Sequence, residues 1–313
     1  MGIPDNTINQ SSVLPYLKLL GGVVSAVTVD NGTSPVLGGV SVDALSGHTD
    51  TPKRAFPLST LHISPFIEYS AGASLLKVSK AEPCNAPIGG MRGAIKGFSF
   101  ASRRRLMHTV AKIQRDAELP DFVTITYPNE FPSALESKKH IDKFIKRLKR
   151  AFPGVGGIWK LEPQQRGAPH YHMLVWGADT LDLMCFVVRS WFEIAGNGDE
   201  RHLKFHQGVL GNEPCVQKVR SLEGVMRYAS KYLAKTFDVV GWDETYTGRF
   251  WAVFNRQNIP FGEQRVYAIP LKKAQEIMRY QRRFAKLRSR NYKSLTTFCD
   301  ADQWVENLLE VRT

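Results

Sequence analysis

The chain lacks several features that would assign it to a common class. Its four cysteines, Cys84, Cys185, Cys215 and Cys299, are scattered and do not have the close spacing of thiolate metal ligands. No apolar run approaches the roughly 18 residues needed to cross a membrane, so we expect no membrane contact. No Gly-x-x-x-x-Gly-Lys-Ser/Thr sequence occurs, so we expect no P-loop ATPase domain. The cysteine usage is typical of a protein from a reducing cytoplasm.

Positive charge is abundant but unevenly distributed. The net charge is +13, whereas residues 1–85 contain five Lys or Arg against six Asp or Glu, which is −1. The remaining residues therefore have a net charge of +14. A basic module of this kind usually binds nucleic acid or another acidic surface, although charge alone is also compatible with an ordinary basic protein.

Two neighbouring segments have the composition of paired strands. Residues 157–162 are followed by a turn-rich connection and then by residues 170–176, which are rich in aromatic and β-favouring side chains. If Arg166, Gly167 and Ala168 form the loop of a hairpin, Glu162 lies opposite His172 and Gln164 lies opposite His170. The residues then predicted to share one face are Glu162, Gln164, His170 and His172. The opposite face carries Trp159, Leu161, Tyr171, Met173 and Val175, which suits packing against helices.

The His-x-His spacing on a strand is a geometry for holding a metal ion. Alternate residues point to the same face, so both imidazoles of His170 and His172 are available together. Two imidazoles with a carboxylate or amide suit Mn, Mg or a similar divalent ion, and zinc is possible. Taken alone, such a pair is more often a chance pair on a solvated strand face.

Residues 221–235 have helical composition, and Ser221 is a candidate N-cap. Tyr228 and Tyr232 are four residues apart and share a helical face with Lys235, while Lys231 lies between them. A neighbouring cation favours phenolate and neutralises phosphate charge, which makes a tyrosine a better nucleophile. Half-buried packing tyrosines are the alternative interpretation of this spacing.

The combination resembles the HUH endonucleases, specifically the two-tyrosine rolling-circle replication initiators of single-stranded DNA phages and plasmids. Three blocks match in order over roughly residues 98–260: a first strand at 122–128, the segment 162–172 with its two histidines, and the two-tyrosine helix. Conjugative relaxases have their tyrosine before a three-histidine cluster, which this chain lacks. Single-strand transposases usually have one tyrosine.

The resemblance implies a role for each matching residue. His170 and His172 would bind a divalent metal ion (Mg or Mn), with Glu162 as the third ligand and Gln164 as the alternative. Tyr228 and Tyr232 would be nucleophiles, and Lys231 and Lys235 would contact the phosphate backbone. The expected reaction is a nick in single-stranded or hairpin origin DNA, in the cytoplasm of a bacterial host cell, leaving a 5′-phosphotyrosine and a 3′-hydroxyl. Host helicase and DNA polymerase are the expected partners.

The predicted elements give an α+β fold, in which a ferredoxin/RRM-like antiparallel sheet has helices on one face. Their order is strand, helix, strand, strand, helix, strand, helix, at residues 122–128, 134–152, 157–162, 170–176, 181–195, 213–219 and 221–235. We predict three units: an N-terminal extension or accessory segment at 1–85, the endonuclease core at 86–265, and a basic C-terminal helical segment at 266–313.

Two other functions fit the same residues. A nonenzymatic single-stranded nucleic-acid-binding protein would use a similar sheet and bind without a divalent ion. A transposase or relaxase would share the chemistry but join element ends instead of producing circular single strands.

Overall fold

The computed structural model of the chain describes residues 17–20, 23–30, 65–80, 98–221, 224–225, 248–284, 294–297 and 300–309. This part forms two antiparallel sheets with helices packed on them, which confirms the predicted α+β class. The strands are β1 (Leu17–Leu20), β2 (Val23–Asp30), β3 (Phe66–Ser70), β4 (Leu76–Ser79), β5 (Asp121–Thr126), β6 (Gly156–Pro163), β7 (Pro169–Trp176), β8 (Val216–Lys218), β9 (Trp251–Phe254), β10 (Gln264–Ala268) and β11 (Ser294–Thr297). The helices are α1 (Phe100–Val110), α2 (Ala134–Ala151), α3 (Thr180–Ala195), α4 (Glu200–Gln207), α5 (Leu271–Phe284) and α6 (Ala301–Leu309).

The five-stranded sheet has the order β8-β5-β7-β6-β9, and all its pairings are antiparallel. Alternation along β6 and β7 divides the side chains between the two faces, as predicted. Helices α2 and α3 cover one face, where Trp159, Tyr171 and Met173 are buried with Phe144 and Trp191. The apolar face of the hairpin is therefore in the main core, and the histidine face is turned away from these helices.

Each helix of this layer begins at a side chain that accepts backbone N–H groups. Ser133 caps α2, and Asp179 caps α3 by accepting from the N–H groups of Leu181 and Asp182. Asp199 caps α4 in the same way. These caps satisfy N–H groups that have no partner within a helix, and they position the helices relative to the sheet.

Helix α1 adds a layer on the opposite side of this sheet. Its residues Leu106, Met107 and Val110 are buried in a second cluster that also contains Ile158 and Leu174 from the histidine face. The N-terminal half of β6 and the C-terminal half of β7 are thus covered on both faces. The histidines, at the other end of β7, lie beside this apolar cover.

The six-stranded sheet joins distant parts of the sequence. Its order is β1-β2-β11-β4-β3-β10, so pairs of strands from the first 80 residues alternate with single strands from beyond residue 263. Helix α5 packs on it through Ala274, Ile277 and Met278. The sequence did not indicate this shared sheet, and the unit boundaries at 85/86 and 265/266 stay predictions.

Contacts after α1 connect the two sheets. Ile113 forms a bridge with Phe261, and the Arg115 guanidinium lies 2.9 Å from the Asp300 carboxylate. The Ser74 N–H, in the turn between β3 and β4, donates to Ala111 O at the end of α1 at 3.1 Å. Among the described helices, none combines the length and the apolar character needed to span a bilayer.

Candidate functional site

The turn of the histidine hairpin sets its register. Gln164 N–H donates to Ala168 O at 2.9 Å, and Gly167 N–H donates to Gln164 O at 2.8 Å. Gly167 has a φ of +82°, a conformation that glycine adopts without strain. The connection between the paired strands therefore runs from Gln164 to Ala168 and is longer than the predicted loop of residues 166–168.

The predicted register was wrong by two residues. His170 lies opposite Glu162, not Gln164, and His172 lies opposite Lys160, not Glu162. Because a shift of two residues preserves the side-chain alternation, the predicted sharing of one face is unaffected. Gln164 remains close to the pair, with its amide nitrogen 3.4 Å from His170 Nδ1.

The two histidines and Glu162 form a close group on this face. The imidazole centroids of His170 and His172 are 4.4 Å apart, with the rings nearly perpendicular. His172 Nε2 lies 3.6 Å from Glu162 Oε2. Thr124 and Phe122 of β5 hold the His172 ring from the other side: the Thr124 hydroxyl is 3.2 Å from Nδ1, and the Phe122 ring stacks at 5.4 Å.

The electrostatics of the group favour an uncharged His170. The pKa of His170 is lowered to about 4, mainly by burial; Glu162 raises the pKa, while the nearby Lys160 and Arg166 lower it. A neutral imidazole retains a lone pair at neutral pH, which is the form that binds a metal ion.

Lys160 also belongs to this group, although it was not predicted as a site residue. Its ammonium lies 3.1 Å from Glu162 Oε2 and 5.8 Å from the centre of the Phe98 ring, and its side chain is only 4% exposed. A buried lysine needs a partner that compensates for lost hydration, and Glu162 provides one. The available signal was the strand alternation itself, which places residues 160 and 162 on the same face.

The donor types on this face match those that hold divalent ions, namely two imidazoles and a carboxylate. Within the described ranges, however, no group of three or more His, Cys, Asp or Glu side chains is arranged for holding a metal ion. One Glu162 oxygen is instead shared between Lys160 and His172. Metal binding by His170, His172 and Glu162 is thus compatible with the residue types and stays a prediction.

The two-tyrosine segment lies largely outside the described residues, and this includes Tyr228, Lys231, Tyr232 and Lys235. Its beginning is described. Ser221 Oγ accepts from Gly224 N–H at 3.1 Å, which confirms the predicted cap, and Gly224 and Val225 are helical. Val225 is 2% exposed and belongs to the cluster that contains Leu174 and Ile158. The helix therefore begins on the same sheet face as the histidines.

A second histidine pair supports the strand next to His170. Thr126 lies opposite His170 at the end of β5, beyond the last pairing of β5 with β8. His206 Nε2 accepts from Thr126 N–H at 3.3 Å, and His202 Nε2 and Trp191 Nε1 lie 3.0 and 2.5 Å from Thr126 O. At this edge, side chains of α3 and α4 thus form the hydrogen bonds to the Thr126 backbone that a neighbouring strand would otherwise form. The sequence signal was the His-x-x-x-His spacing after Asp199.

Comparisons with known proteins bear on this region. Residues 120–237 match the family model described as "Replication-associated protein ORF2/G2P". The chain is also similar to a putative replication protein of Xylella fastidiosa, with 29% identity over 171 residues. That alignment covers 51% of this chain and 56% of the relative, so the chain spans about half the length of the relative it matches. No solved structure is significantly similar to the chain.

Proposed function

We propose that this chain is a replication initiator that nicks single-stranded or hairpin DNA at an origin through tyrosine attack. The observation that carries the proposal is the grouping of His170, His172 and Glu162 on one sheet face, on which Val225, three residues before Tyr228, is also buried. The family-model match over 120–237 includes every residue to which the proposal gives a role. The similarity to a replication protein supports the same biological process.

The short sequence separation between Val225 and Tyr228 supports a position of Tyr228 close to the two histidines. Val225 is buried on the histidine face, and Tyr228 follows it by three positions. Three residues of chain span at most about 10 Å, so the connection allows Tyr228 to reach this face. Tyr232 follows one helical turn later in the sequence-based prediction.

The proposed ligands of a divalent ion are His170, His172 and Glu162, with Gln164 as the alternative third donor. Such an ion, Mg or Mn, would supply polarisation of the scissile phosphate. The neutral state of His170 and its closeness to His172 and Glu162 support this assignment. Lys160 would hold the Glu162 carboxylate in place from the neighbouring position.

The chemistry proposed for the chain's own residues is a transesterification. The phenolic oxygen of Tyr228 or Tyr232 attacks the phosphorus, an O–P bond forms, and the bond from phosphorus to the 3′ oxygen breaks. The phenolic proton is balanced by a proton on the departing 3′-hydroxyl. Lys231 and Lys235 neutralise phosphate charge, and the phosphotyrosine retains the energy needed for later rejoining.

The products define the proposed partners. A free 3′-hydroxyl is a primer for a host DNA polymerase, and a host helicase would separate the strands. The second tyrosine would cut the regenerated origin, after which the new 3′-hydroxyl would resolve the first adduct.

The decisive experiment is a covalent-adduct assay. The purified protein is incubated with single-stranded DNA from its own replicon and with Mn or Mg, and the products are separated on a denaturing gel. Wild type is compared with Tyr228→Phe, Tyr232→Phe and the double variant, and Tyr280→Phe is the control because Tyr280 is a 56% exposed tyrosine of α5. We expect a metal-dependent protein–DNA band that the double variant loses and Tyr280→Phe retains.

The other outcomes separate the alternatives. Tight binding without an adduct under any metal condition would make a nonenzymatic single-strand binder the better account. Joining of two element ends, instead of circular single strands, would indicate a transposase or relaxase.

A further inference from the structure

A cleft of about 500 Å³ opens between the end of β5 and α4, beside the histidine hairpin. Gln164 and Arg166 of the hairpin turn form one wall, and residues of α4 and the loop after it form another. Its size is within the range of small-ligand sites. Because Gln164 also lies 3.4 Å from His170 Nδ1, the cleft is directly adjacent to the candidate site.

Two guanidinium groups give this cleft a positive charge. Arg166 is held by neutral acceptors only: Gln164 Oε1 at 2.9 Å, Pro128 O at 2.7 Å and Tyr127 O at 2.6 Å. Within the described part of the chain, neither Arg166 nor Arg201 forms an ion pair with a carboxylate. The one acidic lining residue, Asp199, accepts the first N–H groups of α4. A phosphate fits this combination, because guanidinium groups bind phosphate oxygens in a fixed geometry.

An aromatic surface lines the same cleft. Phe205 is 44% exposed and Leu210 is 47% exposed, although both are large apolar side chains. Phe131, which is 39% exposed, lies 5.2 Å from the Arg166 guanidinium near the same opening. Surfaces that bind single-stranded DNA combine these two features, because the bases stack on exposed aromatic rings and the phosphates are attracted by cations that have no carboxylate partner.

Buried polar atoms without partners also belong to this wall. His202 Nε2–H donates to Thr126 O, so Nδ1 is left as an acceptor, and it has no partner among the described residues. The Asn212 amide nitrogen donates to Phe205 O and Glu213 O, and Asn212 Oδ1 likewise lacks a partner there. Buried acceptor atoms normally accept a hydrogen bond, so these two atoms would each be stabilised by an N–H donor. Nucleobase edges carry such donors.

We infer that this cleft binds one unpaired nucleotide of a DNA strand, with the base against Phe205 and the phosphate at Arg166 and Arg201. The side chains of His202 and Asn212 line the cleft beside the base. The identity of the strand as origin DNA rests on the proposed function, whereas the binding of a nucleotide does not. A nucleotide held here would fix the strand beside His170 and so help to select the phosphate that is cut.

The first experiment distinguishes binding of the DNA base from electrostatic attraction of the DNA phosphates. Affinity is measured by fluorescence anisotropy for a labelled twelve-nucleotide thymidine strand and for an abasic strand of equal length and charge. We expect Phe205→Ala to weaken binding of the thymidine strand about tenfold and to leave binding of the abasic strand unchanged. Arg201→Gln should weaken both. The controls are Leu181→Ala and Arg189→Gln, which alter exposed residues of α3 outside the cleft.

A crosslinking measurement locates the base independently. A thymidine strand with one 5-iodouracil is irradiated with the wild-type protein, and the modified peptides are identified by mass spectrometry. We expect crosslinks in the peptide that contains Phe205. Equal affinity of wild type and Phe205→Ala for the thymidine strand, with crosslinks only elsewhere, would overturn the inference.

These outcomes are distinguishable from failure of the nuclease proposal. If wild type forms no covalent adduct but Phe205→Ala loses its base-dependent affinity, the nucleotide cleft stands and the nuclease proposal fails. If the adduct forms, but Phe205→Ala has no effect on affinity and the crosslinks lie only elsewhere, the nuclease proposal stands and the cleft inference fails.

Discussion

The Lys160 ammonium lies 3.1 Å from Glu162 Oε2, and these side chains are only 4% and 14% exposed. Removal of one member of a buried ion pair leaves an uncompensated charge, which typically destabilises a protein by about 3–5 kcal/mol. We therefore expect Lys160→Met to lower the free energy of unfolding by several kcal/mol, measured by urea denaturation. Lys139→Met is the matched control, because the Lys139–Glu136 pair is exposed and should contribute about 0–1 kcal/mol.

A double variant tests whether the pairing itself is responsible. Lys160→Met combined with Glu162→Gln removes both charges, so it should be more stable than Lys160→Met alone. Equal destabilisation in the single and double variants would show that loss of packing, not loss of the Lys160–Glu162 charge pairing, dominates.

Substitution of the proposed ligands should remove metal-dependent cleavage. Loss of a residue that merely supports a ligand typically reduces metal affinity or activity by about 10–100-fold, so loss of a direct ligand should cost at least as much. We expect His170→Ala and His172→Ala to reduce adduct formation by about 100-fold or more across a Mn titration. His140→Ala is the control, because His140 lies on α2 and contacts Tyr127 on the helix side of the sheet.

The third ligand is decided by comparing Glu162→Ala with Gln164→Ala in the same titration. Glu162 is favoured because it presents an anionic oxygen 3.6 Å from His172 Nε2, whereas Gln164 presents its amide nitrogen to His170 and its oxygen accepts from Arg166. A larger loss in Gln164→Ala would reverse the assignment.

Much of the sheet could be predicted from sequence because its signals are local. Alternation along β6 and β7 indicated which residues face the helices, and Trp159, Tyr171 and Met173 are buried on that face as predicted. The exact pairing was not predictable in the same way. Turn residues 164–168 form hydrogen bonds that extend the loop, and this moved Lys160, not Glu162, opposite His172.

Features that depend on distant residues were not predictable. In the sequence, nothing distinguishes Lys160 from an ordinary strand residue. Its burial follows from its contacts with Glu162 and Phe98. Helix α4 was not predicted, and its histidines matter because they reach Thr126, which is about 80 residues earlier in the chain. The shared six-stranded sheet pairs β2 with β11, a long-range contact without a local signature.

Lowering the pH should destabilise the fold, because the buried His206 ring is neutral in the folded protein and becomes protonated on unfolding. Its Nδ1–H donates to His202 O and its Nε2 accepts from Thr126 N–H, so the ring must be neutral. Burial lowers the pKa of His206 from 6.5 to about 4. Between these values the unfolded chain binds more protons, so the free energy of unfolding falls as the pH is lowered, by up to about 3 kcal/mol for this residue.

The variant His206→Gln isolates this contribution. Glutamine can accept a hydrogen bond from Thr126 N–H but does not titrate, so we expect lower stability at pH 7 and a shallower decrease between about pH 7 and 5. Urea denaturation at the two pH values measures the difference. Identical decreases in wild type and His206→Gln would contradict a neutral, buried His206.

Tyr171 lies between the two histidines in sequence but belongs to the opposite face. Its ring is fully buried against Trp159, and its hydroxyl lies 2.7 Å from Ser137 Oγ. Ser137 Oγ donates to Ala134 O, so the Tyr171 hydroxyl is the donor to Ser137. Burial also raises the pKa of Tyr171, which disfavours phenolate and excludes this tyrosine as a nucleophile.

Tyr171→Phe should therefore separate stability from cleavage. Loss of one buried hydrogen bond should reduce the free energy of unfolding by about 1 kcal/mol, while the ring still fills the core. Adduct formation should remain at the wild-type level, in contrast to the double variant of Tyr228 and Tyr232. Loss of the adduct in a folded Tyr171→Phe protein would mean that the strand presents this residue to the DNA, and the assignment of the histidine face would then be wrong.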